Sequence, residues 1–134
     1  MPPAVSATPP AAARPDPQRP RILLCEPDAP LRELLGEWLQ RAGYEPVRCE
    51  AGVSAPGIVL VVADVAAPRQ DGAASVTVLR RRFPPAKVLA ISAQFLPGVH
   101  GLCAAATELG ADAVLAKPFA SKVFIDAVQA LLGP

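Results

Sequence analysis

Ile58-Val59-Leu60-Val61-Val62-Ala63 is a run of six apolar residues that stops at Asp64. A strand with one face in water would alternate apolar and polar residues, and this one does not. Both of its faces must be covered, which calls for helices above and below a mostly parallel sheet. Weaker versions of the same pattern recur along the chain. Arg21-Ile22-Leu23-Leu24-Cys25 ends at Glu26-Pro27-Asp28, Lys87 to Ile91 ends at Ser92, and Ala113 to Ala116 ends at Lys117-Pro118. Pro46 to Glu50 is a further possible strand.

The intervals read as helices. Leu31, Leu34, Leu35, Trp38 and Leu39 recur at helical spacing and predict one apolar face. Asp28 can cap that helix, Pro30 suits its first turn and Gly43 can end it. Ala51 to Gly57 holds two Gly and a Pro, enough for no more than a turn. Ala73 to Phe83 predicts a helix with Val76, Leu79 and Phe83 inward, stopped by Pro84-Pro85. Arg80-Arg81-Arg82 falls in its last turn, where cations complement the helix dipole. Val99 to Leu109 predicts a helix ended by Gly110. Ser121 to Leu132 predicts the last helix, with Val123, Ala127, Ala130 and Leu131 inward.

Seven of the 17 prolines lie in residues 1–20, where neither helix nor sheet can propagate. Residues 1–20 are expected to be a disordered Pro/Ala-rich tail, and 21–134 one domain. A net charge of +1 gives no reason to expect nucleic acid or a membrane surface as partner. No apolar run approaches a membrane span, and the N-terminus lacks the pattern of a signal peptide. A cytoplasmic location is expected. Cys25, Cys49 and Cys103 form no C-x-x-C pair and read as three small hydrophobes in a reducing compartment.

In a parallel sheet covered on both faces, ligand chemistry gathers beyond the carboxyl ends of the strands. The polar residues there are Glu26, Asp28, Asp64, Ser92 and Lys117. Carboxylates, a hydroxyl and an ammonium converging on one edge suit a divalent cation and a phosphoryl group, or a carboxylate nucleophile.

These residues resemble the receiver domain of bacterial two-component response regulators. The likeness covers about Arg21 to Leu132, and four stretches carry it. RILLCEPDAPLRELL resembles the first strand, acidic loop and first helix. Asp64 with Pro68 and Asp71-Gly72 matches the phospho-acceptor loop pattern D-x3-P-x2-D-G. Lys87 to Ala93 resembles the fourth strand with its switch hydroxyl. Gly110-Ala111-Asp112 leading to Lys117-Pro118-Phe119 resembles the approach to, and exit from, the fifth strand.

The resemblance implies a doubly wound α/β fold: five parallel strands in the flavodoxin-like order 2-1-3-4-5. Only 20 residues separate Tyr44 from Asp64, so the second helix is expected to be reduced or missing. It also implies that Asp64 accepts a phosphoryl group from a sensor histidine kinase or a phosphotransfer protein. Mg²⁺ would be held by Asp64, Glu26 and the backbone carbonyl of Ala66. Ser92 would donate to one phosphoryl oxygen, Lys117 would pair with another, and the Lys117-Pro118 peptide would be cis. Phosphorylation would shift a two-state equilibrium read on the fifth strand and the helices beside it. With little chain after Leu132, the expected output is contact with another protein, and no enzymatic turnover is expected.

Two departures bear on that expectation. The family usually has two adjacent acids after the first strand, and here Pro27 stands in the second place. Asp28 is a possible substitute ligand. Weak Mg²⁺ binding and slow phosphorylation follow from losing one carboxylate, and a pseudo-receiver that binds partners without efficient phosphorylation is the alternative. Val114 occupies the place of the family's switch aromatic. A hydrolase with Asp64 as nucleophile would need an acid at Ala66, and a flavin carrier would need a phosphate loop where Glu26-Pro27-Asp28 stands.

Overall fold

The computed structural model describes residues 19–49, 56–95 and 99–133, with backbone alone at 69 and 99–103. The expected tail falls outside these up to residue 18, and the expected turn over Ala51 to Gly57 falls outside them except for its last residues. Pro20 already joins the fold, its carbonyl accepting from Glu45 N at 2.8 Å.

Among the described residues ten elements follow in order: β1 (Arg21–Cys25), α1 (Ala29–Arg41), β2 (Glu45–Arg48), β3 (Ile58–Asp64), a π-helical turn (Pro68–Gly72), α2 (Ala73–Arg82), β4 (Lys87–Ser92), α3 (Val99–Leu109), β5 (Ala113–Ala116) and α4 (Ser121–Leu132). The strands form one sheet in the order β2-β1-β3-β4-β5, every pair parallel. This is the expected doubly wound order. The connection 49–57 between β2 and β3 is the shortest crossover, and 50–55 of it lie outside the described residues.

Side-chain alternation along the strands divides the core into two layers. Ile22, Leu24, Leu60, Val62, Leu89 and Ile91 face α1 and α4, meeting Leu35, Leu39, Phe124 and Val128. The opposite face meets α2 and α3: Val88, Ala90 and Val114 pack with Val76 and Leu109, while Leu23, Val61 and Ala63 pack with Phe83. Val114 is thus a core residue beneath α3, in the place where the family's aromatic was expected.

Two helix faces differ from expectation. In α1, Leu35 and Leu39 are buried and Leu31 and Trp38 pack beside them, but Leu34 is 40% exposed. In α4, Val123 is 48% exposed and Ala130 is exposed, while Phe124 and Val128 are fully buried. Of the expected face, Ala127 and Leu131 do pack against the core, and Val123 and Ala130 do not. Aromatic packing sets the true one: Phe124 stacks on Phe119 with centroids 5.7 Å apart and meets Trp38 at 6.0 Å. Such pairs contribute about 0.5–1.5 kcal/mol beyond the area they bury.

The basic run at the end of α2 is also more specific than a dipole effect. Arg80 Nε donates to Gly110 O at 2.7 Å, and its Nη2 pairs with Asp112 Oδ2 at 2.9 Å. Asp112 Oδ2 accepts from Val88 N at 2.8 Å as well. Gly110, at φ +73, lets the chain leave α3 and present these groups. Arg82 lies 5.3 Å over the Phe83 ring.

Candidate functional site

Register places the charged residues at one level. Cys25 pairs with Ala63 across β1 and β3, so Glu26 and Asp64 leave neighbouring strands side by side. Two carboxylates on strands about 4.8 Å apart repel unless a cation joins them. β5 supplies it from the other side of β4. Lys117 N donates to Ser92 O at 3.0 Å, and its side chain crosses back over the edge. Lys117 Nζ lies 2.6 Å from Glu26 Oε1 and 2.7 Å from Asp64 Oδ1. The Lys117–Pro118 peptide is cis.

Burial differs among the three. The Glu26 side chain is 1% exposed, that of Asp64 15% and that of Lys117 20%. Asp64 is therefore the carboxylate with access to solvent. Burial works against the Lys117 ammonium, but hydrogen bonds to Asp64 and Glu26, and their charges, outweigh it and hold its pKa above the ordinary lysine value. Glu26 is fixed further by its surroundings. Its Oε2 accepts from Asp28 N at 3.1 Å, and its carbonyl accepts from Arg32 Nη1 at 3.0 Å. The contribution of Arg32 was not anticipated from sequence, although its place in the first turn of α1 is a usable signal.

Ser92 is buried at the end of β4, its Oγ accepting from Gln94 N at 3.0 Å. That hydrogen bond leaves the hydroxyl its own proton to donate. Phe95, just past Ser92, is buried in the cluster with Val65 and Leu109, and 96–98 lie outside the described residues. Gly72 holds the acceptor loop close to the core. A Cβ there would come 2.6 Å from Leu109 Cδ2 and 3.0 Å from Val65 Cγ1, so only glycine fits without a shift.

Glu26 and Asp64 offer carboxylate oxygens no further apart than their two hydrogen bonds to Lys117 allow, and Ala66 lies two residues on, exposed, with a carbonyl. Mg²⁺ is content with one or two carboxylates and several waters, so this donor set fits it. It is a sparse set. Among the described residues no three His, Cys, Asp or Glu side chains gather around one point. Asp28, the possible substitute ligand, caps α1: its Oδ2 accepts from Leu31 N at 3.1 Å. The expected cap is therefore present.

No family model matches the chain. It is 32% identical over 114 residues to the response regulator protein FleR of Pseudomonas aeruginosa, covering 81% of this chain and 24% of that protein. It is 34% identical over 118 residues to the transcriptional regulatory protein PdtaR of Mycobacterium tuberculosis, covering 81% of this chain and 55% of that protein. The chain thus spans about a quarter of one relative and about half of the other. Among solved structures it is similar to the non-phosphorylated HemR receiver domain from Leptospira biflexa: TM-score 0.68, 27% identity, covering 87% of this chain and 96% of that one. A response regulator from Thermotoga maritima shares the fold, with TM-score 0.68 and 18% identity over 87% of this chain and 99% of that one.

Proposed function

We propose, on the premise that this chain is a divergent response-regulator receiver domain of two-component signalling, that Asp64 accepts a phosphoryl group from a sensor histidine kinase or a phosphotransfer protein. The observation that carries the reading is the Lys117 ammonium joining a buried Glu26 to an accessible Asp64. Lys117 engages Asp64 Oδ1, leaving Oδ2 to attack phosphorus. As that O–P bond forms, the bond from phosphorus to the donor breaks and the donor keeps the electron pair. Lys117 then pairs with one phosphoryl oxygen, and the Ser92 hydroxyl donates to another. Glu26, Asp64 and the Ala66 carbonyl would hold Mg²⁺, which when bound neutralises charge on the phosphoryl oxygens.

The domain works as a switch rather than by turning over a free substrate. Its output is contact with another protein, in the cytoplasm, with neither nucleic acid nor membrane as partner. Among the described residues no helix is long and apolar enough to cross a membrane. Incubation with acetyl phosphate and Mg²⁺, followed by intact-mass measurement, tests the reading. A gain of one phosphoryl group is expected, absent in Asp64→Asn. An unchanged mass in the wild-type protein would overturn it.

One observation favours a second reading. Pro27 offers no side-chain oxygen and Asp28 caps α1, while one ammonium already balances one of the two acids at the strand ends. A pseudo-receiver that engages partners without efficient phosphorylation fits that balance.

A further inference from the structure

Cys25 and Cys49 are distant in sequence and adjacent in the fold. Leu24 pairs with Arg48 across β1 and β2, and Cys49 N donates to Leu24 O at 3.2 Å, which carries the ladder one step past β2. The next pair in register is Cys25 with Cys49. Alternation puts Leu23 and Cys25 on one face of β1, and Val47 and Cys49 on the same face of β2; all four border the cluster around Val61, Ala63 and Phe83. The two side chains are close enough to perturb each other, both are free, and both are partly exposed. Neighbouring strands lie about 4.8 Å apart, inside the roughly 4.4–6.8 Å between Cα atoms that a disulfide spans. Among the described residues β2 is the edge of the sheet and pairs only with β1, so it can shift to complete the geometry.

We propose that Cys25 and Cys49 form a reversible dithiol–disulfide site whose oxidant is a peroxide. The Cys49 thiolate attacks the peroxide, the O–O bond breaks, and a sulfenic acid on Cys49 and water result. The second thiol then displaces the sulfenic oxygen as a second water and closes the S–S bond. Two thiols and one hydrogen peroxide thus give one disulfide and two waters. The link would tie the edge strand to β1 one residue before Glu26, the carboxylate that Lys117 engages. It does not depend on phosphorylation of Asp64.

The test treats the full chain with hydrogen peroxide, alkylates remaining thiols, and maps tryptic peptides by mass. The expected product has lost two hydrogens and joins peptide 22–32 to peptide 49–69. It should persist in Cys103→Ser, vanish in Cys49→Ser, and revert with dithiothreitol. Three alkylated thiols after peroxide, a link through Cys103, or Cys49 over-oxidised to sulfinic acid without a link would each overturn the proposal. The wild-type peptide map decides among these without relying on any variant to fold.

Discussion

Glu26 and Lys117, 91 positions apart in the chain, meet at 2.6 Å. Glu26 is almost wholly buried, and that ammonium is its counter-ion. Lys117→Ala leaves the carboxylate without its counter-ion, and breaking such a pair from one side lowers stability by about 3 kcal/mol. Urea unfolding measures this. The double variant Lys117→Met with Glu26→Gln should recover most of the loss, because it removes both charges together. A Lys117→Ala protein as stable as wild type would show that water or another cation takes over the role.

Stability should fall on the alkaline side. Although burial opposes it, Lys117 keeps a pKa above 10.5 through Asp64 and Glu26. Its folded pKa exceeds its unfolded one, so its contribution is complete below 10.5 and is lost as pH rises through the folded value. Burial also raises Tyr44 above 10.0, and burial together with Cys49 raises Cys25 above 9.0, both with the same sign. Urea midpoints measured between about pH 7 and 11 should stay level at first and fall from about pH 9. Cys25→Ser should remove the earliest part of the fall and Lys117→Met the latest.

Mg²⁺ affinity should separate Asp28 from Pro27. Asp28→Asn keeps a good cap and removes a charge that the site does not use, so calorimetry should find the affinity unchanged. Asp28→Ala should lower stability by about 1 kcal/mol. Pro27→Asp adds the missing acid and should tighten binding by about one to two powers of ten, at about 1.4 kcal/mol each. Weaker binding in Asp28→Asn would mean that Asp28 serves the metal as well as the cap.

At Gly72 the expected effect is crowding. A methyl group there meets Leu109 and Val65, both buried, and should lower stability by about 1–2 kcal/mol in Gly72→Ala. Adding Leu109→Val, which shortens the nearer side chain, should recover part of it. An unaffected melting temperature would show that the acceptor loop moves freely away from α3.

Neighbouring positions in α4 should behave oppositely. Phe124→Ala opens a cavity beneath Phe119 and Trp38 and should lower stability by about 3–5 kcal/mol. Val123→Ala should stay within about 0.5 kcal/mol of wild type. Equal effects would contradict the orientation of the helix.

Strand positions and most helix boundaries were legible because each is signalled locally: a continuous apolar run, a polar residue where it stops, a proline or glycine where a helix does. The orientation of α4 was not. Val123, Phe124, Ile125, Ala127, Val128 and Leu131 nearly surround the helix, so spacing alone selects no face, and contact with Phe119 and Trp38 does. Asp28 was ambiguous for a different reason. One carboxylate can cap a helix or bind a cation, and only the position of Leu31 N shows that it caps here.

By itself the sequence determined that the sheet is covered on both faces and that Glu26, Asp64, Ser92 and Lys117 stand at strand ends, since both follow from patterns within a few residues. Tertiary structure alone decided which of those groups touch. Strand order 2-1-3-4-5 sets β1 beside both β2 and β3, so Cys25 comes against Cys49 while Glu26 comes level with Asp64. A lysine arriving from two strands away then settles between the two acids, because burying their charges without it would cost more than ordering its side chain.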